Sequence, residues 1–329
     1  MSLARAVRVA LLLSVGPVLA LVAVDRAIVH WRAHWAWVAR EVPPLALDPY
    51  RLEGILRSTA PGRQNVLLLG NSVTEQGFDG GALEQRFAQR GLRFPKLTLG
   101  GAPALTFGML AQPIAELEPT LALLVVSPPS LRSEGYEDYV YAYDAREVPE
   151  LFSAREWLAT PRFHIDGFAG QLHVLARHRR AMQRAALVWM GTLDWYGLEH
   201  EEAKARIGRM LDGADMLQAW LQQPVPDAYP NPNTRALGVL AQRLREHGAR
   251  LVVLEAPSHP IQALLLPPER IAAAHRELEQ LAAEDDFALV TREELPPLDE
   301  DDFSDWVHAS ARGRERLTAF LGDYLARTL

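Results

Sequence analysis

The stretch Val66-Leu67-Leu68-Leu69-Gly70-Asn71-Ser72-Val73-Thr74-Glu75 constrains this chain more than any other, because an unbroken apolar run stops at a glycine and is followed at once by a serine. Four successive apolar side chains cannot alternate between a core and water. The run therefore fits a strand covered on both faces, as in the centre of a parallel sheet. Ligands of such sheets collect beyond the carboxyl ends of the strands, where Ser72 stands. Gly70 allows the sharp exit from the strand, and a helix is expected over Gly81 to Arg90. By itself the pattern describes at least as well a serine that caps a helical turn, since Ser is a favoured cap residue.

The rhythm repeats along the chain. A second short strand around Phe94 to Leu99 ends in Gly100-Gly101, and Pro103 to Leu117 reads as a helix kinked at Pro113. Leu121 to Val126 is a third strand, ending in Ser127-Pro128-Pro129-Ser130. Asn233 to Gly248 is an amphipathic helix with Leu237, Leu240 and Leu244 at helical spacing and Gly248 as terminator. A strand over Leu251 to Glu255 ends in Ala256-Pro257-Ser258-His259. Glu269 to Ala283 reads as a helix, Phe287 to Val290 as a strand and Gly313 to Leu329 as a closing helix. The expectation is an α/β fold, a three-layer α/β/α parallel sheet whose strand ends gather small and polar residues at one edge.

The alternation breaks over about 132–232, read as a helical insertion. Tyr136, Tyr139, Tyr141 and Tyr143 form a polar aromatic loop, followed by helical patterns around Leu172 to Trp189 and Glu201 to Leu221. The basic cluster His173, Arg177, His178, Arg179, Arg180 and Arg184 reads as a solvated helix face rather than an anion site.

Residues Val9 to Val24 are uncharged and follow Arg5 and Arg8, which reads as an uncleaved membrane anchor with Trp31, Trp35 and Trp37 as an interfacial belt. The anchor and belt occupy 1–40, a proline-bearing tether 41–61, and the catalytic body 62–329. Basic residues ahead of the apolar run orient the body outward from a bacterial cytoplasmic membrane, toward the periplasm or the cell exterior. With a net charge of −7 the chain has no general attraction to nucleic acid. It has no cysteine, which excludes disulfides, thiolate metal sites and a cysteine nucleophile.

Near the end of the chain lies Ser304-Asp305-Trp306-Val307-His308, with a carboxylate three residues before a histidine. On a tight turn that spacing lets Asp305 reach one ring nitrogen of His308 and leaves the other to take a proton from a hydroxyl. Alone it describes equally a metal pair or a surface ion pair.

Together, Gly70-Asn71-Ser72 after the first strand, a glycine after the second, and Asp305-x-x-His308 before a carboxy-terminal helix resemble the SGNH (GDSL-like) hydrolase superfamily. The resemblance implies Ser72 as nucleophile, His308 as general base and Asp305 as its orienter, with no cofactor and no metal. It implies oxyanion donors on the backbone of Ser72 and Gly100, with Gly101 as the neighbouring alternative. The asparagine that the family normally supplies after the third strand is missing at Ser127-Pro128-Pro129-Ser130. Asn71 is the candidate substitute, beside the hydroxyls of Ser127 and Ser130. Gly70 to Thr74 is not the Gly-x-Ser-x-Gly elbow of α/β-hydrolases.

The anchor, the Ser-Pro run and the insertion resemble more loosely the membrane-anchored proteins of teichoic-acid D-alanylation and the alginate and peptidoglycan O-acetyltransferases. That likeness implies an O-acyltransferase or esterase acting on an acylated glycan or lipid-linked polymer of the cell envelope, beside a membrane-bound O-acyltransferase. Two other readings stand against it. One is a catalytically degenerate scaffold or glycan-binding subunit; the other is a flavodoxin-like phosphate-binding module, which would give Asp305 and His308 no task.

Overall fold

The computed structural model describes residues 19–20, 22–25, 27, 30–31, 35–36, 48–127, 131, 136–172, 230–260, 268–305 and 307–329. The apolar runs become five strands, β1 (Val66–Gly70), β2 (Lys96–Thr98), β3 (Leu121–Val126), β4 (Arg250–Glu255) and β5 (Ala288–Val290). Around them lie helices α1 (Asp48–Ser58), α2 (Ser72–Gly77), α3 (Gly80–Arg86), α4 (Ala104–Met109), α5 (Ala111–Ala115), α6 (Val148–Leu151), α7 (Ala154–Ala159), α8 (Pro161–Leu172), α9 (Pro232–Glu246), α10 (Pro268–Asp285) and α11 (Ala311–Thr328).

All neighbouring strands pair in parallel, in the order β2-β1-β3-β4-β5. The chain starts in the middle, moves outward to β2, then returns past β1 to β3. In such a doubly wound sheet the crevice opens where the direction reverses, at the carboxyl ends of β1 and β3. Ser72 follows β1 directly, so topology alone places it at that crevice.

Alternation along the strands divides the core. Leu67, Leu69, Ala122, Leu124, Leu251 and Val253 pack with Leu52 and Ile55 of α1, with α4 and α5, and with Leu237, Leu240 and Leu244 of α9. Val66, Leu68, Leu121, Leu123, Val252 and Leu254 pack on the other side with Val73, Leu83 and the α11 leucines Leu317, Leu321 and Leu325. Each fully buried leucine stabilises the fold by roughly 1.5–3 kcal/mol relative to exposure. The three on α11 recur every four residues, which pins that helix and the loop before it against the sheet.

The structure corrects several expectations. The 41–61 stretch is not all tether, because α1 lies within it and buries Leu52 and Ile55 in the core. Pro43 and Pro44 precede that helix and Pro49 lies in its first turn, where an amide hydrogen is not needed. The expected helix over Pro103 to Leu117 is two helices with a break at Leu110 (φ −96°, ψ 10°). Pro113 has no N–H to offer the Met109 carbonyl and its ring would clash there, so the chain opens one turn before the proline. The expected helix over Gly81 to Arg90 is α3 followed by a 3₁₀ turn at Ala88–Arg90.

Within the insertion, the described part holds a 3₁₀ segment (Tyr136–Ala142) and α6 to α8. Tyr143 is buried rather than looped into water, with its ring edge-on to Phe163 at 5.5 Å and its hydroxyl 3.2 Å from His164 Nδ1. The patterns beyond Leu172, with the basic cluster His173 to Arg184, lie outside the described residues. So does most of the expected span Val9 to Val24; among the described residues no helix is long and apolar enough to cross a membrane.

Candidate active site

The Ser72 turn is built by sequence-local necessities. Gly70 leaves β1 at φ +146°, and a Cβ there would overlap the Thr74 hydroxyl. That hydroxyl is itself buried and donates to the Leu69 carbonyl at 3.3 Å. Asn71 then caps α2, its Oδ1 accepting from Val73 N–H at 3.0 Å. The capping task left open for Ser72 is thus performed by its neighbour. Ser72 becomes the first residue of α2, where its own N–H has no intrahelical acceptor.

One turn on, Glu75 ties α2 to the next strand: Oε2 accepts from Thr98 Oγ1 at 2.5 Å and its carbonyl accepts from Lys96 Nζ at 2.6 Å. Burial lowers the Lys96 pKa from 10.5, and the attraction of Glu75 only partly opposes it.

The loop between β5 and α11 carries the other half. Phe303 and Ala309 form an antiparallel bridge, Ser304 N–H donates to the His308 carbonyl at 2.9 Å, and Ser310 N–H donates to the Asp302 carbonyl at 2.8 Å. Inside this closed turn Asp305 Oδ1 accepts from the N–H groups of Val307 (2.9 Å) and His308 (2.8 Å). Aspartate is suited to this because its short side chain folds back on the amides that follow. Asp305 Oδ2 meets His308 Nδ1 at 2.7 Å, and His308 Nε2 meets Ser72 Oγ at 2.8 Å.

The loop is anchored beneath by Asp302, fully buried and in contact with Arg316, with Arg312 Nε 3.0 Å from its Oδ1 but without an aligned hydrogen bond.

Charge decides the proton positions. Burial pushes the Asp305 carboxyl up, but the hydrogen bonds from His308 and Val307 and the electrostatic attraction of the adjacent ring outweigh it, so its pKa lies below the ordinary 3.8. An ionised carboxylate only accepts, so Nδ1 of His308 carries the hydrogen and Nε2 is the acceptor for the Ser72 hydroxyl. The three residues nominated from the sequence are therefore brought together from opposite ends of the chain, 236 positions apart between Ser72 and His308.

The remaining expectations fall out unevenly. Leu99 N–H donates to the Gly70 carbonyl at 3.0 Å, which sets the Gly100-Gly101 turn beside the Ser72 turn. Asn71, expected as a substitute oxyanion donor, has its Oδ1 committed to the helix cap, leaving only its amide hydrogens to donate. Ser127 follows β3 and is half-buried, while Ser130 lies outside the described residues. His259 packs edge-on against Phe303 at 5.2 Å, at the base of the Asp305 loop.

Tyr139 is the addition that pattern reading missed. Its hydroxyl donates to the Gly100 carbonyl at 2.9 Å. The only signal was a run of alternating tyrosines, which does not say where any of them lands.

Among the described residues, Glu255, His275 and Glu293 have ligand atoms within 4.8 Å of one another. His275 there has Nδ1 3.0 Å from Glu255 and Nε2 3.3 Å from Glu279. Burial lowers the pKa of His275, the neighbouring glutamates more than reverse this, and its pKa ends above 6.5. The group is an imidazole bracketed by carboxylates.

No family model matches the chain, and no curated protein matches it. Among solved structures it is similar to TesA, at 16% identity and a TM-score of 0.40, covering 80% of this chain and 99% of that one. It is similar to a GDSL-like lipase from Bacteroides thetaiotaomicron, at 10% identity and a TM-score of 0.41, over 86% and 100% of the two chains. It is also similar to Axe2, an acetylxylan esterase from Geobacillus stearothermophilus, at 13% identity and a TM-score of 0.37, over 80% and 94%.

Proposed function

We propose that this chain is a serine-dependent esterase or O-acyltransferase of the SGNH (GDSL-like) type, acting outside the cytoplasmic membrane on an acylated envelope glycan or lipid-linked polymer. The observation that carries this reading is the His308 ring, which touches Ser72 with one nitrogen and Asp305 with the other. In the first step Ser72 Oγ attacks the acyl carbonyl while its proton passes to His308 Nε2, and the Asp305 carboxylate stabilises the imidazolium so formed. Amides at the Ser72 and Gly100-Gly101 turns receive the charge that builds on the carbonyl oxygen.

Collapse breaks the ester bond and His308 returns the proton to the departing alcohol. Water, or the hydroxyl of an acceptor sugar, then attacks the acyl-serine by the same path in reverse.

Extracytoplasmic placement and a membrane-bound O-acyltransferase partner are supported by the apolar run Val9 to Val24 behind Arg5 and Arg8, and by the likeness to envelope acetyltransferases. The test is hydrolysis of p-nitrophenyl acetate together with labelling by a fluorophosphonate. Both are expected in the full chain and lost in Ser72→Ala; a folded chain that shows neither, or a Ser72→Ala variant that keeps both, refutes the reading.

The scaffold reading draws on Ser127-Pro128-Pro129-Ser130, which lacks the asparagine that the family normally supplies after the third strand. It requires that Ser72→Ala leave partner binding and phenotype unchanged.

A further inference from the structure

Tyr139 belongs to the inserted segment rather than to the α/β core, yet it ends on the loop that follows β2. Its hydroxyl donates to the Gly100 carbonyl at 2.9 Å, and a Cβ built on Gly101 would lie 3.0 Å from the same oxygen. The ring is held by edge-on contact with Tyr141 at 6.0 Å and by packing against the core.

The loop it grips is a four-residue turn. Ala102 N–H donates to the Leu99 carbonyl at 3.1 Å, and within Leu99 to Ala102 Gly101 alone has a positive φ, at +67°. A positive φ confined to the third position is the signature of a type II turn. The type I alternative differs chiefly by a flip of the central peptide, here the unit joining Gly100 to Gly101. Two glycines oppose neither state, since both conformations are open to them.

The peptide unit is planar and trans, so its carbonyl and its N–H point in opposite directions. Whatever holds the Gly100 carbonyl therefore aims the Gly101 amide. The turn is fastened to the nucleophile side by Leu99 N–H on the Gly70 carbonyl.

Resting on the serine-esterase reading above, we infer that Tyr139 is a positioning residue of the oxyanion loop. Its hydroxyl locks the Gly100–Gly101 peptide so that the Gly101 amide is presented to the tetrahedral intermediate on Ser72. The orientation of this one peptide then decides how well the Gly101 amide meets the oxyanion. The insertion thereby contributes to the chemistry of the core domain through the Tyr139 hydroxyl.

The test is Tyr139→Phe in the full chain, which keeps the ring and removes only the oxygen. Removing an oxyanion donor outright costs about 10²–10³ in rate, and a residue that acts through the donor is expected to cost about tenfold or more in kcat with KM little changed. The melting temperature should stay near that of the wild type; a purely structural role would move it and leave kcat per folded molecule intact.

A Tyr139→Phe kcat within about twofold of wild type, while Ser72→Ala abolishes turnover, overturns the role of Tyr139 and leaves the triad standing. Turnover that does not depend on Ser72 overturns both. A second measurement needs no variant at position 139: in ¹⁵N-glycine-labelled wild type, phosphonylation of Ser72 should move the Gly101 amide proton downfield. An unmoved Gly101 resonance overturns the proposal even if Tyr139→Phe fails to fold.

Discussion

Replacing Asp305 with asparagine separates two tasks that this side chain performs at once. Oδ1 holds the N–H groups of Val307 and His308, which shapes the loop, and Oδ2 meets His308 Nδ1 at 2.7 Å, which sets the imidazole. Asparagine keeps an oxygen for the two amides but presents NH₂ to the ring. His308 must then accept at Nδ1 and carry its hydrogen on Nε2, where it can no longer take the Ser72 proton. In serine proteases the equivalent change costs about 10⁴ in kcat, or about 5.5 kcal/mol of barrier.

Stability should move little, because the loop contacts survive. Asp305→Ala instead loses all three hydrogen bonds, each worth about 0.5–1.5 kcal/mol net, so it should unfold more easily by about 3 kcal/mol in addition to losing activity. Initial rates on p-nitrophenyl acetate and urea unfolding of the two variants provide the comparison. Asp305→Asn with kcat within tenfold of wild type would refute the tautomer reasoning, as would equal unfolding free energies for the two variants.

The pH dependence of stability follows from the same carboxyl. Its folded pKa lies below the ordinary 3.8, so its contribution is complete above that value and is lost as pH falls through the folded pKa. The stability gap between wild type and Asp305→Ala should be widest above about pH 5 and narrow below about 4, as measured by urea titration. Gly70→Ala forces a Cβ into the Thr74 hydroxyl at φ +146° and should cost about 1–3 kcal/mol in unfolding free energy. Asp302→Ala leaves Arg316 without its buried partner; because that arginine is 34% exposed, a loss of about 2 kcal/mol is expected, below the 3–5 of fully buried pairs. Its kcat should fall as well, through loosening of the Asp305 loop, while Arg312→Ala, at a half-exposed cation, should cost under about 1 kcal/mol by thermal melting.

The strands were legible because parallel strands covered on both faces must be apolar throughout, as Val66 to Leu69 and Leu121 to Val126 are. The order of elements, and Ser72 and His308 beside Asp305, could be read for the same reason: each lies just past a recognisable element or in a short local pattern. Helix boundaries were less legible. The break at Leu110 is dictated by Pro113 but displaced by a turn, since proline disturbs the carbonyl of Met109, four residues before it. Helix α1 was hidden by surrounding prolines, which are harmless outside a helix and in its first turn.

What the sequence determined by itself is local: the buried strands, the glycine exit before Ser72, the Asx turn at Asp305 that places a carboxylate beside its own histidine. What only the tertiary structure decided is which of these local parts meet. Nothing in residues 70–75 says that Asn71 rather than Ser72 does the capping, or that the freed hydroxyl faces a ring 236 positions away. Nor does a run of tyrosines say that Tyr139 crosses to the Gly100 carbonyl. Those contacts depend on how helices of distant origin pack on one sheet, and packing is a property of the whole core rather than of any window of sequence.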